Sequence, residues 1–180
     1  FKHVAKVRAE LKTRTIFNIL GPMCNPANVK KHLIGAYDLT LLRPMTEVLK
    51  KLGSEAAWLV HSNDGLDEVS ISDKTFIHKL DSGHISEEVF EINNTDIRPS
   101  KISEIVGGDA SYNAKELIKI FKGEKNPYRE IVSLNSAAAL VMCGFSRNIE
   151  DAIAISKESL DSGKALQTLE HLISVSNRLD

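Results

Sequence analysis

The chain has 180 residues, with 23 Lys and Arg against 24 Asp and Glu, a formal net charge of -1, and 42% hydrophobic content. That length fits one domain and lets a folded chain bury about 70% of the surface it exposes when unfolded, so neither a disulfide nor a structural metal is needed for a core. The even charge balance argues against a dedicated nucleic-acid binder. No apolar run reaches membrane-span length, and the opening FKHVAKVR has neither the apolar stretch nor the cleavage site of a signal peptide.

Residues 3–12 carry an amphipathic helical pattern, with Val4, Val7 and Leu11 on one face. Gly21 to Asn28 reads as an irregular loop, because two prolines and a Gly-Pro step break regular structure. His32 to Tyr37 is a short apolar strand candidate. Asp38 can cap the helix that follows, in which Leu42, Met45, Leu49 and Leu52 recur at helical spacing, with Pro44 near its start and Gly53 as its stop. Ala56 to Val60 is fully apolar and predicts a buried parallel strand, so strand, helix and strand make a βαβ unit. Glu68–Ile71, Thr75–Leu80 and Val89–Ile92 read as short strands separated by turn residues Asp73, Asp81 and Gly83. Helices are predicted near 111–122, 128–143, 149–161 and 164–175, punctuated by Gly123, Gly144 and Gly163. Ile149, Ala152, Ile153, Ser156 and Leu160 share one apolar face; Ala165, Leu166, Leu169, Leu172 and Ile173 share another. The expected fold class is α/β, a mixed sheet flanked by helices, with residues 1–180 forming a single domain.

Few motifs carry chemistry. GxGxxG, GxSxG and HExxH are absent, and Ser162-Gly163-Lys164 lacks the upstream glycine of a phosphate loop. The six histidines have no ligand spacing, and Cys24 and Cys143 form no CxxC pair, which favours plain thiols in a reducing compartment. The segment Asp64-Gly65-Leu66-Asp67-Glu68 stands out because it directly follows the apolar strand, and ligands gather at the carboxyl ends of strands in open α/β sheets. Asp67 and Glu68 place two carboxylates side by side; they repel, and a cation between them relieves the repulsion. Mg²⁺ suits such a pair, filling its other positions with phosphate oxygens and water. A solvated acidic turn is the ordinary alternative. Arg8 and Arg14 can bind carboxylates or phosphates in bidentate fashion, or can be solvated helix arginines. Gly107-Gly108-Asp109 ahead of a helix offers an anion site or, more commonly, an N-cap.

Taken in order, the string VRAELKTRTIFNILGPMCNPAN (7–28) is similar to the signature VRxELGxRTxFNxLGPLxNPA of anthranilate phosphoribosyltransferases. HLIGAYD and LLRPMTEVLKKLGSEAAWLVHSNDGLDEVS continue that family's pattern, with GGDASYNA, GEKNPYREIVSLNSAAALVMCG and SGKALQTLEHL in support. Lys12 stands where the family has glycine, and Met23-Cys24 replaces its usual Leu-Thr. The resemblance implies a nucleoside phosphorylase/phosphoribosyltransferase-like catalytic domain, incomplete at its N-terminal side. A glycine-rich phosphate loop, a Lys-His-Gly-Asn segment and most of a helical domain would precede Phe1, which is not a methionine; this chain alone would then be inactive. The implied reaction is transfer of the phosphoribosyl group from phosphoribosyl pyrophosphate to anthranilate in tryptophan biosynthesis. Asp67 and Glu68 would be the catalytic Mg²⁺ ligands, Arg8 would contact the anthranilate carboxylate, and Pro22 would line the channel of the aromatic substrate. A cytoplasmic homodimer with no nucleic-acid or membrane partner is implied as well. Two other readings stay open, a nucleic-acid-binding relative without transferase activity and a pyrimidine nucleoside phosphorylase.

Overall fold

The computed structural model describes Lys6, Glu10, Leu11, Thr13 and residues 15–178. The helix expected over 3–12 therefore falls largely outside the described residues, as do Arg8 and Arg14.

The sheet has four strands in the order β1-β2-β3-β4: β1 is Lys31–Gly35, β2 Ala56–Ser62, β3 Thr75–Asp81 and β4 His84–Phe90. β1 and β2 pair in parallel; β2–β3 and β3–β4 are antiparallel, so the sheet is mixed as expected. Helix α1 is Phe17–Met23 and α2 is Leu42–Lys51; α2 crosses between the parallel strands. Four helices complete the chain: α3 Ala110–Phe121, α4 Pro127–Met142, α5 Ile149–Asp161 and α6 Lys164–Ser176.

Strand periodicity sorts the core. In β2, Ala57 and Leu59 point to one face, where they pack with Leu42, Met45 and Leu49 of α2 and with Ile34 and Leu80. Trp58 and Val60 point to the other, against Val69, Ile71, Ile77, and Ile131, Leu134, Ala137 and Ala138 of α4. Leu42, Leu49 and Leu59 are fully buried, each contributing roughly 1.5–3 kcal/mol of transfer free energy. Caps match the side chains available: Asp38 accepts from Thr40 N–H at 2.9 Å, capping the 3-10 turn Leu39–Leu41 that leads into α2, while Asn126 accepts from Arg129 N–H at 2.9 Å and Asn148 from Asp151 N–H at 2.8 Å at the starts of α4 and α5. Buried Arg129 ties α4 to α5 through Asp161 at 2.8 Å.

Four expectations need correction. The loop foreseen from Gly21 begins only after Met23, because Gly21 and Pro22 occupy the last turn of the short helix α1. The proline lacks the N–H that would bond the Asn18 carbonyl, and the helix ends one residue later, at Met23. Glu68–Ile71 forms no strand: Val69, Ser70 and Ile71 are all buried, but their segment has no ladder partner. The last strand lies earlier, at His84–Phe90 in place of Val89–Ile92, as the second arm of a hairpin on the Ser82-Gly83 turn. Finally, Leu52 is 58% exposed beyond the end of α2, and the apolar face read on the final helix has no buried residue, with Leu172 and Ile173 open to solvent.

Candidate functional site

The carboxyl ends of the two parallel strands define one corner of the sheet. β1 ends at Gly35, which pairs with Val60, and β2 runs two residues further to Ser62. Ala36 N–H donates to the Val60 carbonyl at 2.9 Å, and the His61 ring, through Nδ1, bonds the Ala36 carbonyl at 2.8 Å. Both strand ends are thus fixed before the Asp64–Glu68 segment starts.

A tight turn follows. Gly65 N–H donates to the Ser62 carbonyl at 2.9 Å, Ser62 N–H donates to the Leu66 carbonyl at 2.8 Å, and Leu66 N–H donates to Asp64 Oδ1 at 3.1 Å. Gly65 has φ of +93°, which a side chain would strain. Asp64 is consumed by this architecture: its Oδ2 accepts from the Ser70 hydroxyl at 2.7 Å and from Ser72 Oγ, closing the loop on itself. Burial alone would raise the Asp64 carboxyl, but the hydroxyls of Ser72 and Ser70, the Leu66 amide and the Ser62 hydroxyl together hold it below the ordinary aspartate range. A carboxylate lowered on folding adds stability above its unfolded pKa and loses it as pH falls through the folded value. Asp64→Ala is therefore expected to cost about 2 kcal/mol at pH 7, from lost charge-assisted hydrogen bonds. The gap to wild type should close below about pH 4 in urea melts, and a gap that stays constant with pH would refute this role.

Asp67 and Glu68 are left for other work. Both are exposed, and neither carboxylate has a hydrogen bond or ion pair among the described residues. The Glu68 carboxyl is pushed above the ordinary glutamate range, first by desolvation from the surrounding protein and then by the Asp67 charge. The Asp67 backbone lies hard against β1: a Cβ on Gly35 would overlap the Asp67 carbonyl oxygen, 2.6 Å from its carbonyl carbon and 2.9 Å from its Cβ. On the far side, Asn135 of α4 grips the next residue. Its Oδ1 accepts from Val69 N–H at 2.9 Å, and its Nδ2 donates to the Val69 carbonyl at 2.9 Å and the Ile131 carbonyl at 3.0 Å.

Among the described residues, no three His, Cys, Asp or Glu converge as a protein-only metal cage. Two adjacent, unpartnered carboxylates still fit Mg²⁺, which binds through one or two carboxylates and takes its remaining oxygens from water and phosphate. Pro22 sits exposed in α1. Asp109 is an N-cap, accepting from Tyr112 N–H at 2.8 Å, and Asn113 takes the Gly108 N–H at 2.8 Å, so the ordinary reading of Gly107-Gly108-Asp109 holds. Gly35 and Asn135 were not singled out from the sequence. A glycine inside an apolar strand, and an asparagine inside the apolar helix 131–141, were the signals available.

The chain belongs to the glycosyl transferase family, α/β domain, whose model matches residues 1–166. Within that family it is similar to anthranilate phosphoribosyltransferases. The enzyme of that name from Bradyrhizobium sp. (strain ORS 278) is 45% identical over 178 residues, covering 98% of this chain and 52% of the relative. That from Brucella suis biovar 1 is 46% identical over 178 residues, again covering 98% of this chain and 52% of the relative. Among solved structures, anthranilate phosphoribosyltransferase from Thermus thermophilus aligns with a TM-score of 0.86 at 30% identity, covering 96% of this chain and 51% of the other. The Saccharomyces cerevisiae enzyme in complex with PRPP and Mg aligns with 0.86 at 28%, covering 96% and 50%. The chain thus spans about half the length of the curated relatives it matches.

Proposed function

We propose that this chain is part of an enzyme that transfers the phosphoribosyl group of phosphoribosyl pyrophosphate to the amino group of anthranilate, releasing pyrophosphate. The observation that carries this reading is the unpartnered Asp67–Glu68 pair at the carboxyl ends of β1 and β2, in a chain 45% identical to an anthranilate phosphoribosyltransferase. Asp67 and Glu68 hold Mg²⁺, which when bound stabilises the charge that builds on departing pyrophosphate. The two carboxylates contribute by fixed placement: Gly35 backs one and Asn135 anchors the chain beyond the other. Relatives solved with PRPP and Mg, and with 4-fluoroanthranilate, support the same ligand classes here.

Arg8, outside the described residues, is proposed as the partner of the anthranilate carboxylate on the strength of the VRAEL motif. Residues 1–180 make up a single, partial α/β domain, and the working enzyme is a cytoplasmic homodimer. Because the relatives are about twice as long, catalysis rests on the whole polypeptide, and residues 1–180 expressed alone are inactive. The test follows anthranilate fluorescence in the full-length protein with phosphoribosyl pyrophosphate and Mg²⁺; no loss of fluorescence would overturn the reading. In the same assay, Arg8→Ala should lose about 1.5–3 kcal/mol, seen as a rise in KM for anthranilate of roughly tenfold to a hundredfold. An equal rise in KM for both substrates would make Arg8 merely structural.

A further inference from the structure

We propose that Asn135 is a positioning residue for the Asp67–Glu68 pair, an inference that rests on the reading of that pair as the Mg²⁺ ligands. The segment after Glu68 is buried but belongs to no strand: Val69 is 1% and Ile71 0% exposed, and neither has a ladder partner. Buried backbone groups must find partners, and here side chains serve in place of a neighbouring strand. Ser70 N–H bonds Thr75 Oγ1 at 3.0 Å, and both polar groups of Val69 bond the single amide of Asn135. The Val69 N–H belongs to the peptide that begins at Glu68, so the asparagine acts on the atom adjoining the pair. A third bond, from Nδ2 to the carbonyl of Ile131 one turn back on α4, holds the side chain in one orientation. Only a primary amide at this distance from the backbone supplies one acceptor and two donors in that arrangement. Leucine has neither, aspartate lacks the donors, and glutamine is longer by a methylene.

The pair is therefore strung between two supports of different kinds. Asp67 rests on the bare backbone of Gly35 in the sheet, and Val69 is latched to α4, a helix whose Leu134, Ala137 and Ala138 are fully buried. Glu68 hangs between them. Loss of the latch frees one end of a two-carboxylate site. Such freedom costs stability, because two buried backbone groups of Val69 lose their partner, and costs more in ligand placement, since a shift of about 1 Å can cost a hundredfold in rate.

The experiment uses the full-length protein with Asn135→Ala, Asn135→Asp and, in parallel, Asp67→Asn with Glu68→Gln. Asn135→Ala and Asn135→Asp are expected to raise the Mg²⁺ concentration for half-maximal rate by roughly tenfold and to lower kcat by about tenfold to a hundredfold, leaving KM for anthranilate within about twofold. The aspartate variant separates placement from charge. Its added negative charge would by itself attract Mg²⁺ more strongly, so a weaker Mg²⁺ response can only come from lost geometry. It also decides the matter if the alanine variant does not fold. Hydrogen exchange gives a readout without turnover: the Val69 amide should lose protection in Asn135→Ala and, to a smaller degree, in Asn135→Asp, whose carboxylate keeps an acceptor but sets an oxygen in place of the amide donor against the Val69 and Ile131 carbonyls. A lowered melting temperature with unchanged Mg²⁺ requirement and kcat would overturn the inference and leave Asn135 structural. If the paired Asp67 and Glu68 variant keeps its Mg²⁺ response, the metal reading falls and this inference with it. If that variant loses the response while Asn135→Asp does not, only this inference falls.

Discussion

The variant carrying Asp67→Asn and Glu68→Gln is expected to lose on the order of a thousandfold in kcat/KM, while its melting temperature without Mg²⁺ stays level or rises slightly. The two halves of that expectation have one cause. Neither carboxylate is engaged by the fold among the described residues, and Glu68 is held above its usual range by desolvation and by Asp67. Their charges thus contribute repulsion to the protein without ligand, which the amides remove at nearly constant shape. On the proposed function the same charges are the asset, since a metal ion at a leaving pyrophosphate would supply several kcal/mol and the two carboxylates would localise it. A structural acidic turn behaves in the opposite way, losing stability and keeping turnover. Initial rates against Mg²⁺ concentration, beside a thermal melt in a chelator, distinguish the two cases. Turnover within tenfold of wild type would remove Asp67 and Glu68 from the site.

The turn at Asp64–Glu68 was legible because its signal is local: an apolar strand, a Gly turn and two adjacent acids lie within thirteen residues, 56–68. The helical third was legible for the same kind of reason. Apolar residues recur at helical spacing, and Gly123, Gly144 and Gly163 end each run, so the helix expected over 149–161 is the one observed. What escaped lacks a local signal. β4 has no buried residue, and His-Ile-Ser-Glu-Glu-Val-Phe alternates too weakly to announce a strand that pairs along its length with β3. Residues 68–71 gave the converse error, since a short buried segment between turns need not pair as a strand; here Asn135 and Thr75 take the amides a ladder would use. Asn135 and Gly35 act on residues distant in sequence, across a contact that no spacing rule encodes. The final helix has the periodicity of a packed element but keeps Leu172 and Ile173 in solvent, because periodicity marks an apolar face without saying what covers it.

Gly35→Ala is expected to be the most damaging single methyl group near the site, cutting turnover about a hundredfold. The position has no unusual dihedral, as Gly35 is absent from the residues of positive φ, so alanine suits its backbone. The conflict is steric. The new Cβ would overlap the carbonyl oxygen of Asp67, a backbone atom that cannot swing aside as a side-chain tip can. Close-packed interiors pass such strain on to what yields most easily. Gly35 belongs to a strand paired with β2 beside the buried Ile34 and Ala36, so the turn bearing Asp67 must give way. Overpacking of this kind costs about 1–3 kcal/mol of stability, enough to lower a melting point but not to unfold a typical domain. On the proposed function the larger loss would fall on the carboxylate pair, whose placement the shifted turn changes. Gly65→Ala supplies the contrast, because its Cβ would meet nothing within 4 Å yet its φ of +93° is strained for alanine. That change should cost about 1 kcal/mol through the backbone and disturb Asp67 less. The two variants, compared at equal folded fraction, should therefore differ by about tenfold or more in turnover, with Gly35→Ala the weaker enzyme and the one needing more Mg²⁺. Equal turnover in both would mean that the contact between β1 and Asp67 governs packing alone.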